Sequence, residues 1–216
     1  YNIGEAITPH AKIMAYFDAL AAAVPDRIKL FDYGRSWQGR KLIYAAIGAP
    51  EKIANLAGIQ ADAQRLADPR TLSAGEAEAI IARHPAVVWL AYSVHGDEIG
   101  PADSSMQLAY HLLASRGDPR LSQIRENTLV IMMPTQNPDG RDRFIAGNIG
   151  SSGLLPDTDM MAAERDQQWP GGRVNHAIFD LNRDWFALTQ PETRAHTTAM
   201  LKFYPAIVVD SHEMGT

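Results

Sequence analysis

The sequence predicts an α/β fold with a mixed, mostly parallel central sheet flanked by helices on both faces. Three observations carry this expectation. Apolar runs at 86–92, 129–133 and 206–210 have strand length and are continuous enough to be covered on both sides. Stretches with helical spacing of apolar residues alternate with those runs, the order of a layered α/β unit. The chain has 216 residues and is 46% hydrophobic, enough to build a core without covalent staples, and it contains no cysteine.

Each element has its own signal. In 9–24, Ile13, Tyr16, Phe17, Leu20 and Val24 fall on one helical face, with Thr8 available as N-cap and Pro9 at the first helical position. Residues 28–33 and 41–47 read as two strands joined by a hairpin loop containing Gly34 and Gly39. A helix follows near 51–66. A second opens at Ser73-x-x-Glu76, a capping-box pattern, and runs to about Arg83. Pro85 precedes the first continuous apolar run. Helices are expected over 102–114 and 119–126, and Pro134 stops the second apolar run. Residues 135–175 are rich in Gly, Pro, Asp and Asn, show no periodicity and read as one long loop, a length common in functional segments. Helix 191–203 then leads into the third run, expected to be a buried strand. No internal repeat interrupts this order, which makes one domain.

Composition narrows the partners. Lys and Arg number 20 against 25 Asp and Glu, a net charge of −5 with no basic block, which argues against nucleic acid. No apolar stretch approaches the ~18–20 residues that span a bilayer. Absent cysteine excludes thiolate metal sites and cysteine nucleophiles. The chain opens at Tyr1 without an initiator Met or a basic leader, and it stops at Met214-Gly215-Thr216 directly after an apolar run, which reads as a cut or processed end.

Polar groups gather after all three apolar runs: His95-Gly-Asp-Glu98, Asn137-Pro-Asp-Gly140 and Asp210-Ser-His212. In open α/β sheets ligands bind beyond the carboxyl ends of the strands, so groups remote in sequence converge there. His95 and Glu98 offer an imidazole and a carboxylate from one turn. Adding His212 gives two histidines and one carboxylate, the protein donors of a catalytic zinc with one open position. His212-Glu213 does not extend to the helical H-E-x-x-H site, because residue 216 is Thr. His10, His84, His111, His176 and His196 lack a partner at ligand spacing and read as structural. A second constellation runs Arg173-x-Asn175-x4-Asp180-Leu-Asn182-Arg183. Arginine's fixed fork suits a carboxylate, and Asp180 suits the outer nitrogen of a ligating histidine. Arg141 and Arg143, beside the Asn137–Gly140 turn, read as solvated.

Taken together, Gly34-x-Ser36-x-x-Gly39-Arg40, His95-x-x-Glu98, Asn137-Pro-Asp-Gly140, Arg173 through Arg183, Pro191-Glu-Thr193 and Asp210-x-His212 resemble the carboxypeptidase A family of zinc metallocarboxypeptidases, in that family's order. The Trp169-Pro-Gly-Gly-Arg173 approach and the Asp210-Ser-His212-Glu-Met-Gly ending are similar to its bacterial branch. The resemblance implies a secreted or periplasmic enzyme that removes C-terminal residues from peptides. One zinc ion would be held by His95, Glu98 and His212. Arg173 would stabilise the oxyanion, Asn182 and Arg183 would grip the substrate's α-carboxylate, and Asp180 would orient His95. The zinc would polarise the carbonyl and acidify its water.

The sequence departs from the family in two ways. Gln38 stands where the family usually has Glu. The family's general-base Glu and substrate-binding Tyr lie well downstream of the third zinc ligand, so residues 1–216 correspond to the N-terminal portion of a catalytic domain. Loss of a general base costs typically 10²–10⁴-fold in rate, so weak activity or none is expected of this polypeptide alone. A sheet ending after the third ligand would also present an open edge, with self-association as the expected result. Two other readings remain: a zinc deacylase of N-acyl amino acids of the aspartoacylase type, and a non-catalytic module binding zinc or peptide carboxylates.

Overall fold

The structure, a computed structural model, describes residues 5–213, so the Met214–Thr216 end lies outside it. Helix α1 (His10–Ala23) leads into the hairpin β1 (Ile28–Arg35) and β2 (Lys41–Ile47). Helices α2 (Pro50–Ala54), α3 (Leu56–Ala67) and α4 (Ala74–Arg83) precede β3 (Ala86–Tyr92). Then come α5 (Ile99–Ala114), α6 (Pro119–Asn127), β4 (Thr128–Met133), α7 (Pro138–Ser151), α8 (Pro191–Met200) and β5 (Ile207–Ser211). The five strands form one sheet in the order β1-β2-β4-β3-β5. β1 with β2 and β2 with β4 are antiparallel; β4 with β3 and β3 with β5 are parallel. The parallel part is therefore the half that carries the polar strand ends.

Side-chain alternation divides the core between the two faces of the sheet. Ile43, Ala45 and Ile47 of β2 and Val130 and Met132 of β4 pack with Ile13 and Phe17 of α1 and Met106, Ala109 and Leu112 of α5. Tyr44, Trp89, Leu129, Ile131 and Met133 face the other way, onto Ile53, Ile59, Ala199 and Phe203. Helix α4 starts as its sequence signals: the Ser73 hydroxyl accepts from Glu76 N–H while the Glu76 carboxylate accepts from Ser73 N–H.

Several expectations shift. Helix α1 is capped by Pro9 without a side-chain bond from Thr8, so the helix begins one residue later. The 51–66 helix is two helices, parted at Asn55. Helix α5 begins at Ile99, with Gly100 and Pro101 in its first turn, where backbone N–H groups need no helical partner. β5 was expected to be buried, yet Ile207, Val208 and Val209 are 55%, 49% and 42% exposed. The strand lies at the sheet edge with β3 as its neighbour.

The largest correction is α7, which occupies the first third of the expected long loop. Asn137 caps it by accepting Gly140 N–H at 3.0 Å, and Pro138 supplies the first-turn φ. Its inward face is polar, so no apolar stripe announces it. Arg141, expected in solvent, is completely buried. It donates to Thr8 O at 2.9 Å, Ile99 O at 3.0 Å and Asp103 Oδ2 at 2.9 Å. Arg143 is also engaged, donating to the carbonyls of Gly171 and Val174 at 2.5 and 2.6 Å. Both guanidiniums satisfy backbone carbonyls that the fold removes from water.

Beneath β3, His196 of α8 stacks on Trp89 at 5.7 Å and accepts its indole N–H at 3.0 Å. Burial lowers its pKa from 6.5 to about 3. The unfolded chain thus takes up a proton below pH 6.5 that the native state refuses, and stability falls as pH drops from there toward 3. Denaturant midpoints measured against pH are expected to decline over that window in the native sequence and to decline less steeply in His196→Phe.

Candidate metal centre

β3 ends by turning through Ser93, a fully buried residue in the left-handed region at φ 57°. Such a conformation is uncommon for a side chain with a Cβ, and here it swings the chain off the strand just before His95. Two bonds hold the turn against the end of β4: Gln136 N–H to Tyr92 O at 2.9 Å and Asn137 N–H to Ser93 O at 3.0 Å. Gly96 then packs on the start of α7. A Cβ there would lie 2.1 Å from Arg141 N, and one at Gly140 would lie 2.3 Å from Gly172 O. Only glycine fits these two positions. The turn bearing His95 and Glu98 is thereby pressed against both α7 and the segment leading to Arg173.

β5 brings His212 to the same place. One donor atom from each of His95, Glu98 and His212 lies within 4.8 Å of the others. His95 Nδ1 is 2.6 Å from Glu98 Oε1, and His212 Nδ1 is 3.0 Å from Glu98 Oε2. Each outer nitrogen meets a carboxylate: His95 Nε2 is 3.0 Å from Asp180 Oδ1, and His212 Nε2 is 3.0 Å from Asp210 Oδ2. Holding the outer N–H in this way presents Nδ1 of both rings to the shared space, the arrangement that suits metal-ligating histidines. The donor set and its outer partners fit one divalent cation, with two nitrogens and a carboxylate converging.

Electrostatics agree with an ionised site. Burial acts to raise the Glu98 carboxyl, but the His95 hydrogen bond, the Glu213 N–H and the two imidazoles outweigh it and hold it below the usual range. At Asp180, burial is likewise outweighed by the His95 hydrogen bond and charge, the Asn182 N–H and the Arg173 charge, and its pKa is lowered.

The second constellation surrounds this cluster. Arg173 forks onto Asp180 Oδ2 from Nε at 3.2 Å and NH2 at 3.1 Å, and its NH1 reaches within 3.4 Å of His95 Nδ1. Its backbone is fixed by Asn137 Nδ2, which donates to Arg173 O at 3.1 Å. Asn182 and Arg183 lie on a short 3-10 turn capped by Asp180, which accepts Asn182 N–H at 2.9 Å. Asn182 Nδ2 is 3.4 Å from His212 Nε2, and the Arg183 side chain is exposed, its NH1 donating to Asn182 O at 3.1 Å. Asn137 belongs to the scaffold: it caps α7 and anchors Arg173.

Three residues were given no role in the sequence reading. Asp210, on β5, sits two positions before His212 at the strand's end, and period-2 alternation places both side chains on one face, a signal that was available. Gln136 Nε2 fixes Asp210 by donating to its Oδ1 at 2.8 Å. Glu213 donates its N–H to Glu98 at 3.0 Å and accepts Gly100 N–H at 2.8 Å, tying the end of β5 to the start of α5. No local pattern announces those long-range contacts.

Sheet and cluster together define an α/β protein with a two-histidine, one-carboxylate centre at the carboxyl ends of its parallel strands. The family model described as zinc carboxypeptidase matches residues 13–205, and the chain belongs to that family. It is 33% identical to carboxypeptidase D of Homo sapiens over 185 residues, which cover 81% of this chain and 12% of that protein. It is 28% identical to carboxypeptidase Z of Rattus norvegicus over 108 residues, 49% of this chain and 14% of the relative. Among solved structures it is similar in fold to carboxypeptidase A from Helicoverpa armigera, with TM-score 0.62, 17% identity, and coverage of 97% of this chain and 46% of that one. A metallo-carboxypeptidase from Burkholderia cenocepacia superposes with TM-score 0.61 at 18% identity, over 95% of this chain and 41% of its own. The chain thus spans about an eighth of carboxypeptidase D and less than half of either structure.

Replacing Asp180 by Asn keeps its shape while removing the charge that faces His95 and Arg173. Zinc affinity, measured by competition with a chromogenic chelator, is expected to fall roughly 10–100-fold.

Proposed function

We propose that this chain is the metal-site portion of a zinc metallocarboxypeptidase acting on the free C-terminus of peptides. The observation that carries this reading is the convergence of His95, Glu98 and His212 beside Arg173, which Asp180 holds in place, with Arg183 exposed on the short turn that Asp180 caps. A zinc ion held by those three residues supplies a Lewis acid for peptide-bond hydrolysis. The chain's own groups then divide the remaining work. Asp180 and Asp210 keep the outer nitrogen of each imidazole engaged, so the inner nitrogens stay free to coordinate. Asn182 and Arg183 bind the terminal carboxylate, which makes cleavage exopeptidic. Arg173 offers its charge to the carbonyl oxygen as that oxygen becomes anionic.

Residues 1–216 are read as the N-terminal portion of the catalytic domain, in keeping with the partial coverage of the relatives. The general base belongs outside these residues, so the polypeptide binds peptide carboxylates but turns over slowly. A secreted or periplasmic location follows from the family reading; among the described residues no helix is long and apolar enough to cross a membrane. The exposed edge of β5 favours self-association, to be checked by sedimentation over a range of concentrations.

The decisive experiment titrates the zinc-loaded chain with a peptide bearing a free C-terminus, its C-terminal amide and an N-acyl amino acid. Zinc-dependent binding of the free-acid peptide, well above that of its amide, is expected, with hydrolysis far below ordinary enzyme rates. Preference for the N-acyl amino acid would turn the assignment to a deacylase.

A further inference from the structure

A cavity of about 600 Å³ lies between α7 and residues 163–171. Its floor includes Ala146, Gly147 and Gly150 of α7. Glycine weakens a helix interior, and at Gly140 close contact requires it. At Gly147 and Gly150 nothing does: an added Cβ would meet no atom within 4 Å at either position. These two residues keep space open at a cost to their own helix. The volume falls in the range of ligand pockets.

The wall has a definite chemistry. Glu164 and Asp166 contribute two carboxylates against the single guanidinium of Arg143, which donates to the carbonyls of Gly171 and Val174, and Glu164 Oε1 accepts Asp157 N–H at 2.9 Å, so the lining carries a net negative charge. Trp169, at the rim, is 82% exposed and offers an indole face. A negatively charged wall beside an indole suits a cationic side chain. The cavity adjoins the metal centre through Gln167, which donates to Asp97 Oδ2 at 3.1 Å and accepts Gly172 N–H at 2.9 Å. Asp97 neighbours Glu98, and Gly172 neighbours Arg173.

We infer that this cavity is a subsite for the part of a peptide substrate amino-terminal to the scissile bond, selective for a Lys or Arg side chain. The inference rests on the carboxypeptidase reading. An exopeptidase substrate has one residue beyond the scissile bond, held in that reading by Asn182 and Arg183 next to His212, so the rest of the peptide needs a further surface beside the centre. Gln167 ties the cavity lining to Asp97 and Gly172, the chain neighbours of Glu98 and Arg173.

The test uses pentapeptides with one common free C-terminal residue and Lys, Ala or Glu at each of the three preceding positions, titrated into the zinc-loaded chain. At one position Lys is expected to bind roughly five- to tenfold more tightly than Glu. Gly150→Leu fills the cavity with a better helix former and is expected to abolish that preference, while leaving unchanged the affinity for a dipeptide that reaches only the centre. Asp166→Asn, at an exposed position, is expected to reduce the preference without affecting folding. Equal affinity for Lys and Glu peptides, or a preference that survives in folded Gly150→Leu, overturns the subsite and leaves the dipeptide result standing. A C-terminally amidated Lys peptide in chelator, followed by Trp169 emission with Trp169→Phe as control, separates the two claims. If it binds and the dipeptide does not, the peptidase reading fails although the cavity takes a cationic chain; if neither binds, both fall.

Discussion

Glu98→Ala is expected to weaken zinc binding on the order of 10²–10³-fold, because a metal-site free energy shared among a few donors loses one of them outright. The effect goes beyond the lost donor. Glu98 spans both imidazoles, with one oxygen 2.6 Å from His95 and the other 3.0 Å from His212, and it also accepts the Glu213 N–H at 3.0 Å. Without it, the turn after β3 and the end of β5 lose their common anchor. Equilibrium competition with a chelator gives the affinity, and the unchanged far-UV spectrum of the metal-free variant shows that the fold survives. An affinity within a factor of three of the native chain would remove Glu98 from the ligand set.

Arg141→Leu is expected to be the most destabilising single change away from the centre, at about 3–5 kcal/mol. That is about a fifth or more of the whole stability of a typical domain, which is on the order of 5–15 kcal/mol. Burial acts to lower this guanidinium's pKa, opposed mainly by Asp103. Removing it strands the Asp103 carboxylate, whose Oδ1 already lacks a partner, together with the carbonyls of Thr8 and Ile99. Those groups belong to the approach to α1 and the first two turns of α5, so both loosen from α7 together. The double variant Arg141→Leu/Asp103→Leu is expected to recover part of the loss, since the cost lies largely in the abandoned carboxylate. Urea midpoints of the two variants check this directly.

The contrast between Arg141 and the apolar core explains what could be read from the sequence. β3 and β4 are legible because their burial is apolar and continuous, and α4 because Ser73 and Glu76 form a local reciprocal cap. Helix α7 escapes because its inward face is made of Asp139, Gly140 and Arg141, which satisfy one another's neighbours rather than avoid water. Periodicity in hydrophobicity carries no trace of that. Ile207, Val208 and Val209 spell a strand without saying how many neighbours it has; the open edge was expected only from the resemblance, which places further strands after the third ligand. At the centre, His95 and Glu98 share one turn and so are legible as a pair. Joining His212 to them needed the rule that strand ends converge. The contact of Glu213 with Gly100, 113 residues away, is set by tertiary packing alone.

Among the described residues β5 is the outermost strand, held by the ladder to β3, and it carries the third imidazole of the cluster at its end. An ion bound there acts as a clasp on the fringe of the sheet, and its grip must appear as slowed amide exchange at Val208 through Ser211 before any change reaches the centre of the molecule. Each tenfold rise of free zinc above the dissociation constant adds about 1.4 kcal/mol against the opening of any form that releases the ion. Fraying at this border and metal occupancy are therefore one equilibrium seen from two ends.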